Sequence, residues 1–321
     1  MREIAFVRQN ADRWEAFESL LREDHPDPDE LADLYIRITD DLAYARTHYP
    51  DSQTAAYLND LASEVHQTLY RDRREDRGRL RRFWLDEVPR AVGASHRELL
   101  ISMVLFGVFV LIGALSAAHD TDFVRLILGD RYVNMTLENI ERGDPMAVYK
   151  QAHQVPMTLG IAVNNVLVAF LAFAAGILLS FGTVYVLLQN GVMIGSFHYL
   201  FYDQGMLAES LLVVYIHGTL EISAIVIAGA AGLVLGNGIL FPGTYPRRTA
   251  LTRAARRGGR IVIGLVPVFL LAALLEGFVT RYTEMHPMLS LCIIGLSGAF
   301  VIWYFGVRPR RLNASEPHDP H

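Results

Sequence analysis

His217 and Glu221 stand four residues apart in YIHGTLEISAIVIAGAAGLVLGNGILFPG, residues 215–243, a run apolar and long enough to cross a bilayer. Side chains four apart share one face of a helix. Ionisable groups at membrane depth are costly and usually face protein or water, so this pair marks a place where the chain does something other than meet lipid. Residues 222–241 contain one strongly polar side chain, Asn237, and small residues recur at Ala224, Ala228, Gly232 and Gly236. That spacing lets two helix backbones approach closely. At about 100° per residue, Glu221 lies on the side of Ala228 and Gly232, and is expected to face a neighbouring helix.

Three further polar residues join the pair as candidates: Glu276 in LLEGFVT, and Asn164 with Asn165 in IAVNNVLV. Three chemistries suit such a set. The groups can hydrogen-bond helices together, each bond contributing about 0.6–2 kcal/mol. They can relay a proton or ion, since histidine titrates near neutrality. His217, Glu221 and Glu276 can also supply three metal ligands. The sequence lacks HExxH, CxxC, GxSxG and GxxxxGK[ST] patterns. No catalytic residue, enzyme activity, cofactor or resident metal is therefore expected.

The elements that position these residues follow from composition. The chain has 321 residues and is 52% hydrophobic, with nearly all its long apolar runs after Leu99. Residues 1–70 carry fifteen acids against six arginines, a balance of −9 that describes a water-soluble region. Three apolar stripes of helical period occur there: Phe6, Trp14, Phe17 and Leu21; Leu31, Leu34, Tyr35, Ile38, Leu42 and Ala45; and Tyr57, Leu58, Leu61, Val65 and Leu69. HPDPDE and HYPDS separate them and suit turns and helix starts. Residues 71–98 hold nine arginines, six acids and an apolar face of Leu80, Phe83, Trp84, Leu85 and Val88, the pattern of a basic amphipathic helix lying on a membrane. No nucleic-acid partner is expected, because no recognition motif accompanies the charge.

A membrane domain is expected over residues 99–307. Its first span covers residues 99–118 and is expected to act as an uncleaved anchor, since the opening residues lack a signal-peptide pattern. An extracytoplasmic, partly helical loop occupies residues 119–155. The 47 almost uncharged residues 157–203 are too long for one helix, so a turn is expected near residues 180–183. After the 215–243 span come a cytoplasmic arginine-rich loop at 244–260, two more spans at 261–281 and 288–307, and a cytoplasmic tail at 308–321. Six crossings place all the arginine-rich segments on one side, whereas five, the alternative, would put residues 247–260 on the wrong one. Asn190, Gly191, Gly195 and Gly218 read as helix-packing positions, as do Ala224, Ala228, Gly232 and Gly236. Pro267 is expected to kink its helix, Cys292 to be packing, and His153, His198 and His286 to lie exposed near the outer surface. In six spans His217, Glu221, Glu276, Asn164 and Asn165 converge in one layer of the outer half.

The segments NNVLVAFLAFAAGILLSFGTVYVLLQNGVMIG, HGTLEISAIVIAGAAGLVLG and LLEGFVT, in this order, resemble the stage II sporulation protein M family. FVRQNADRWEAFESLL and residues 31–70 resemble the cytoplasmic extension of its longer members. The resemblance implies an all-α polytopic protein of the bacterial inner membrane with a cytoplasmic N-terminus. It implies a founding type that recruits peptidoglycan-degrading partners during engulfment, and long members in bacteria that do not sporulate. By its motif Asn164, Asn165, Asn190, Gly191, His217, Gly218, Glu221 and Glu276 carry over, without catalytic roles. The expected function is a non-enzymatic assembly factor for membrane or envelope complexes, with the lipid bilayer, envelope proteins and a second copy of the chain as partners. The alternative is a proton-coupled transporter or channel working through the His/Glu cluster.

Overall fold

A computed structural model describes residues 3–21, 27–71, 78–147, 154–283 and 285–314. His153, residues 72–77 of the expected amphipathic helix, residues 148–153 of the expected outer loop and residues 315–321 of the tail lie outside the described residues. The fold is all-α, and no strand occurs among the described residues. It divides into two compact units, Met1–Arg79 and Leu80–His321.

The first unit contains α1 (Glu3–Leu21), α2 (Pro28–His48) and α3 (Gln53–Arg71). Asp27 starts α2 by accepting a hydrogen bond from the Asp29 amide at 3.0 Å, and Pro28 fits the first turn, where its missing N–H costs nothing. Phe17, Ile38, Ala45 and Leu58 are completely buried, as the stripes require. Tyr57, expected in the core, is 37% exposed and donates its hydroxyl to Glu18 at 2.7 Å while its ring packs against Trp14. One charge enters this core: Asp41 is 8% exposed and accepts from Arg13 at 2.6 Å and from Trp14 Nε1 at 2.9 Å. Both donors are needed, because a buried carboxylate without partners is strongly destabilising.

The second unit begins with α4 (Arg79–Arg82), a π-helical turn Phe83–Glu87 and α5 (Val88–Gly93). The expected surface helix is therefore broken and partly buried. Val88 is fully covered, Trp84 donates to the Gly264 carbonyl at 3.3 Å, and Arg308 donates to the Leu85 carbonyl at 2.8 Å. Then come α6 (His96–His119), α7 (Thr121–Leu128), α8 (Asp130–Glu141), α9 (Gln154–Ala174), α10 (Phe181–Asp203), α11 (Leu207–Leu240), α12 (Arg247–Leu274), α13 (Pro287–Val301) and α14 (Arg308–Ala314). A π-helical turn Leu275–Val279 extends α12, and another, Ile302–Val307, joins α13 to α14.

Six helical stretches are long and apolar enough to cross a membrane: His96–His119, Thr158–Ile177, Phe181–Asp203, Leu207–Leu240, Arg247–Val279 and Pro287–Leu312. The expected arginine-rich loop is a correction, for residues 247–260 are the first turns of α12. Arginine is a good helix former, and its charge ends an apolar run without ending a helix. The turn between α9 and α10 comes earlier than expected, with Leu179 (φ 53°) and Ser180 (φ 69°) in left-handed conformations and Phe181 already helical. Cys292 is exposed on α13 rather than packed.

At the centre stands α11, which touches α6, α9, α10, α12 and α13. Every residue from 224 to 236 is buried. Ala224 and Ala228 are fully covered. A Cβ on Gly232 would collide with the Ala172 carbonyl and Thr183 Oγ1, and one on Gly236 with Ser180. The small-residue stripe is thus used within the chain. Glycines do the same between α6 and α10, where a Cβ would meet Phe109 Cβ at 2.7 Å from Gly191 and the Ala114 amide nitrogen at 2.7 Å from Gly195. Gly218 differs, since the nearest atom to a Cβ there would be Val214 Cγ1 at 3.5 Å. Buried hydrogen bonds from Ser102 to the Val226 carbonyl and from Thr183 to the Ala172 carbonyl, both 2.7 Å, tie helix to helix.

Two outcomes follow from this packing. Gly232→Ala should destabilise the detergent-solubilised protein by about 1–3 kcal/mol through overpacking, while Gly218→Ala should be neutral or stabilising; thermal unfolding followed by circular dichroism compares them. Asp41→Ala should cost the first unit about 1–3 kcal/mol, read as faster amide exchange across residues 3–62 with exchange in α11 unchanged.

Candidate functional site

The site is assembled from three spans. On α11, His217 and Glu221 face the same way because they are one turn apart. His217 is 4% exposed, at membrane depth. Glu276 comes from the π-helical turn after α12, and its Oε2 lies 3.9 Å from His217 Nε2. Nitrogen and carboxylate oxygens of His217, Glu221 and Glu276 all fall within 4.8 Å of one another. Asn165, 5% exposed, reaches in from α9 beside Glu221, and its side-chain oxygen accepts from Asn164 Nδ2 at 3.3 Å. The five expected residues therefore meet at one site.

Thr280 completes the setting of the histidine. Fully buried, it accepts or donates at 3.1 Å with His217 Nδ1, and its hydroxyl donates to the Leu275 carbonyl at 3.2 Å. With the hydroxyl proton directed to Leu275, the threonine oxygen accepts from Nδ1–H, which leaves Nε2 as the lone-pair nitrogen facing Glu276. Thr280 follows directly on the π turn. The Thr280 amide bonds the Leu275 carbonyl at 2.8 Å, an i to i+5 closure wider than an α turn, and both Glu276 and Thr280 of this segment face His217 of α11. Gly277 in that turn lets α9 approach, for a Cβ there would collide with Thr158.

Around these groups lies a cavity of about 550 Å³, between α9, α10 and α11, lined also by Ile127, Leu128 and Tyr132 of α7 and α8. Asn164, Asn190 and His198 share its wall. His198 is a correction: it is half-buried, holding the Ile194 carbonyl through Nδ1 at 2.7 Å. Asn190 bonds the Val186 carbonyl at 2.8 Å and faces the cavity rather than only packing helices. His286 is exposed, as expected, and caps α13 by accepting from the Met288 amide at 3.3 Å. Two buried polar atoms of the wall, Asn165 Nδ2 and His198 Nε2, make no hydrogen bond of full geometry to described residues.

Sequence reasoning missed Thr280, His198 and the α7–α8 residues. Thr280 carried one signal, standing four residues after Glu276 and so on the same helical face. Tyr132 and its neighbours carried none, since a short helix in a polar loop says nothing about what it covers.

Away from the cavity the membrane unit has a different polar pair. Asn237 donates to Glu98 Oε1 at 3.0 Å, near the end of the bundle where residues 247–260 begin α12. The His/Glu cluster lies toward the opposite end, the one bearing α7 and α8.

Residues 4–71 match a domain of unknown function (DUF8413), and residues 102–281 match stage II sporulation protein M. No curated protein and no solved structure matches the chain. The matched membrane segment spans α6 through the π turn that carries Glu276, and with it every residue of the cluster. The chain belongs to the stage II sporulation protein M family of membrane proteins.

Proposed function

We propose that this protein is a non-enzymatic assembly factor of the bacterial cytoplasmic membrane, holding envelope proteins together rather than conducting a solute. The observation that carries this reading is the solid packing of α11 from residue 224 to 236, beneath the cavity. Backbones in contact on several sides leave a rigid frame there, suited to presenting surfaces. A separately cored unit, Met1–Arg79, supplies a second surface for a soluble partner. Arginines 247, 248, 253, 256, 257 and 260 start α12, and Arg308, Arg310 and Arg311 lie at the end of the last helical stretch. The positive-inside rule supports a cytoplasmic side for these ends, and with it a cytoplasmic N-terminal unit and a cavity toward the envelope. Partners on that side would be envelope proteins, with peptidoglycan-remodelling proteins the class that the family resemblance implies.

Affinity purification from native membranes tests this. Stable co-purifying envelope proteins are expected with the full chain, and removal of residues 1–71 should lose cytosolic partners while keeping membrane ones. Recovery of this chain alone from several detergents would count against assembly.

A second reading, proton-coupled transport, is favoured by the cavity and the meeting of His217, Glu221 and Glu276. Transport through the solid half of α11 would require that half to open. Under it, proteoliposomes should show proton or solute flux that falls at least ten-fold in Glu221→Gln. Equal flux in both proteins would dismiss Glu221 from such a role.

A further inference from the structure

We propose that His217, Glu221 and Glu276 form a binding site for a divalent first-row transition metal ion, of the Zn²⁺ class, open to the cavity. This goes beyond the assembly reading and does not depend on it. The geometry is the first ground. Three donor atoms within 4.8 Å of one another have a common centre no more than about 2.8 Å from each, and zinc bonds to imidazole and carboxylate are about 2.0–2.2 Å. Small rotations of two glutamate side chains close the difference.

The second ground is how the histidine is held. A metal-binding imidazole keeps its other ring N–H on a hydrogen-bond acceptor, which fixes its tautomer and aim. Thr280 provides that acceptor at 3.1 Å from Nδ1, itself oriented by the Leu275 carbonyl, so Nε2 is directed at the carboxylates. Asn165 is the third ground. It is nine-tenths buried, stands beside Glu221, and its Nδ2 makes no hydrogen bond of full geometry. A slight turn of Glu221 toward a shared ion would let that amide steady the carboxylate's other oxygen.

Charge supplies the reason for a cation. Two carboxylates side by side at membrane depth are costly, and a dication offsets both at once. The imidazole selects against Mg²⁺ and Ca²⁺, which prefer oxygen alone, and toward Zn²⁺. Three protein ligands leave a fourth position on the cavity side, within its 550 Å³. A site of that form exchanges ligands instead of only bracing the fold.

The test uses the full chain without a histidine tag, stripped by chelator, reconstituted in lipid nanodiscs and titrated with Zn²⁺. About one ion per chain is expected. Glu276→Gln and Glu221→Gln should each weaken binding at least ten-fold, and Thr280→Val about ten-fold or more. Glu98→Gln, which alters the other membrane glutamate pair, should bind as wild type. No binding by folded wild type, unchanged binding in both cluster glutamate variants, or equal loss in Glu98→Gln would overturn the proposal. Because a variant can fail by misfolding, wild type is also loaded with Co²⁺. An intense visible spectrum of four-coordinate nitrogen and oxygen ligation supports the site, and a weak six-coordinate, all-oxygen spectrum overturns it. Neither result bears on which proteins co-purify, so the two readings fail separately.

Discussion

Close approach of backbones along α11 is the constraint on which the membrane unit depends. Lipid tails are as apolar as leucine, so burial alone gives helices little reason to associate in a bilayer, and packing contacts with buried hydrogen bonds must do it. Gly232 and Gly236 admit the α9–α10 turn directly against α11, where a side chain would collide with Ala172, Thr183 or Ser180. Once the backbones are that near, Ser102 and Thr183 reach carbonyls on neighbouring helices at 2.7 Å. The same glycines that suggested pairing of two chains are therefore satisfied inside one.

Moving along α11 toward its start, the packing loosens and polar chemistry appears. At Gly218 there is room for a side chain, and one residue earlier His217 looks across to Glu276 and Thr280. A helix of 34 residues thus has two characters, a tightly packed half made of alanine and glycine and a hollowed half where histidine, glutamate and asparagine line space. The first fixes the second, since donor atoms can be held within a few ångströms only by helices that do not shift.

Much of this was legible in the residues. An ionisable side chain inside an apolar run has a defined depth once the spans are counted, which is why Glu276 and His217, 59 positions apart in sequence, could be assigned to one layer. The arginines settled the count, because charge asymmetry survives errors in helix boundaries. Boundaries themselves were poorly legible: Arg247 begins a helix that looked like a loop, as the pattern of hydrophobicity records where lipid ends and not where the helix ends. Thr280 escaped notice because a hydroxyl in a span commonly bonds its own backbone. Which helix turns covered the cavity was not encoded locally at all, for Ile127 and Tyr132 meet it only through the way α7 and α8 fold back.

The continuity of α12 has a mechanical meaning. From Arg247 to Glu276 the chain is one helical rod of roughly 44 Å, with its arginine-bearing turns at one end and the Glu276 carboxyl at the other. Pro267 removes one backbone hydrogen bond between two and three turns before Glu276 and so concentrates bending there. Glu276 and the arginine-bearing turns therefore belong to one continuous helical element, with no loop between them to uncouple their positions.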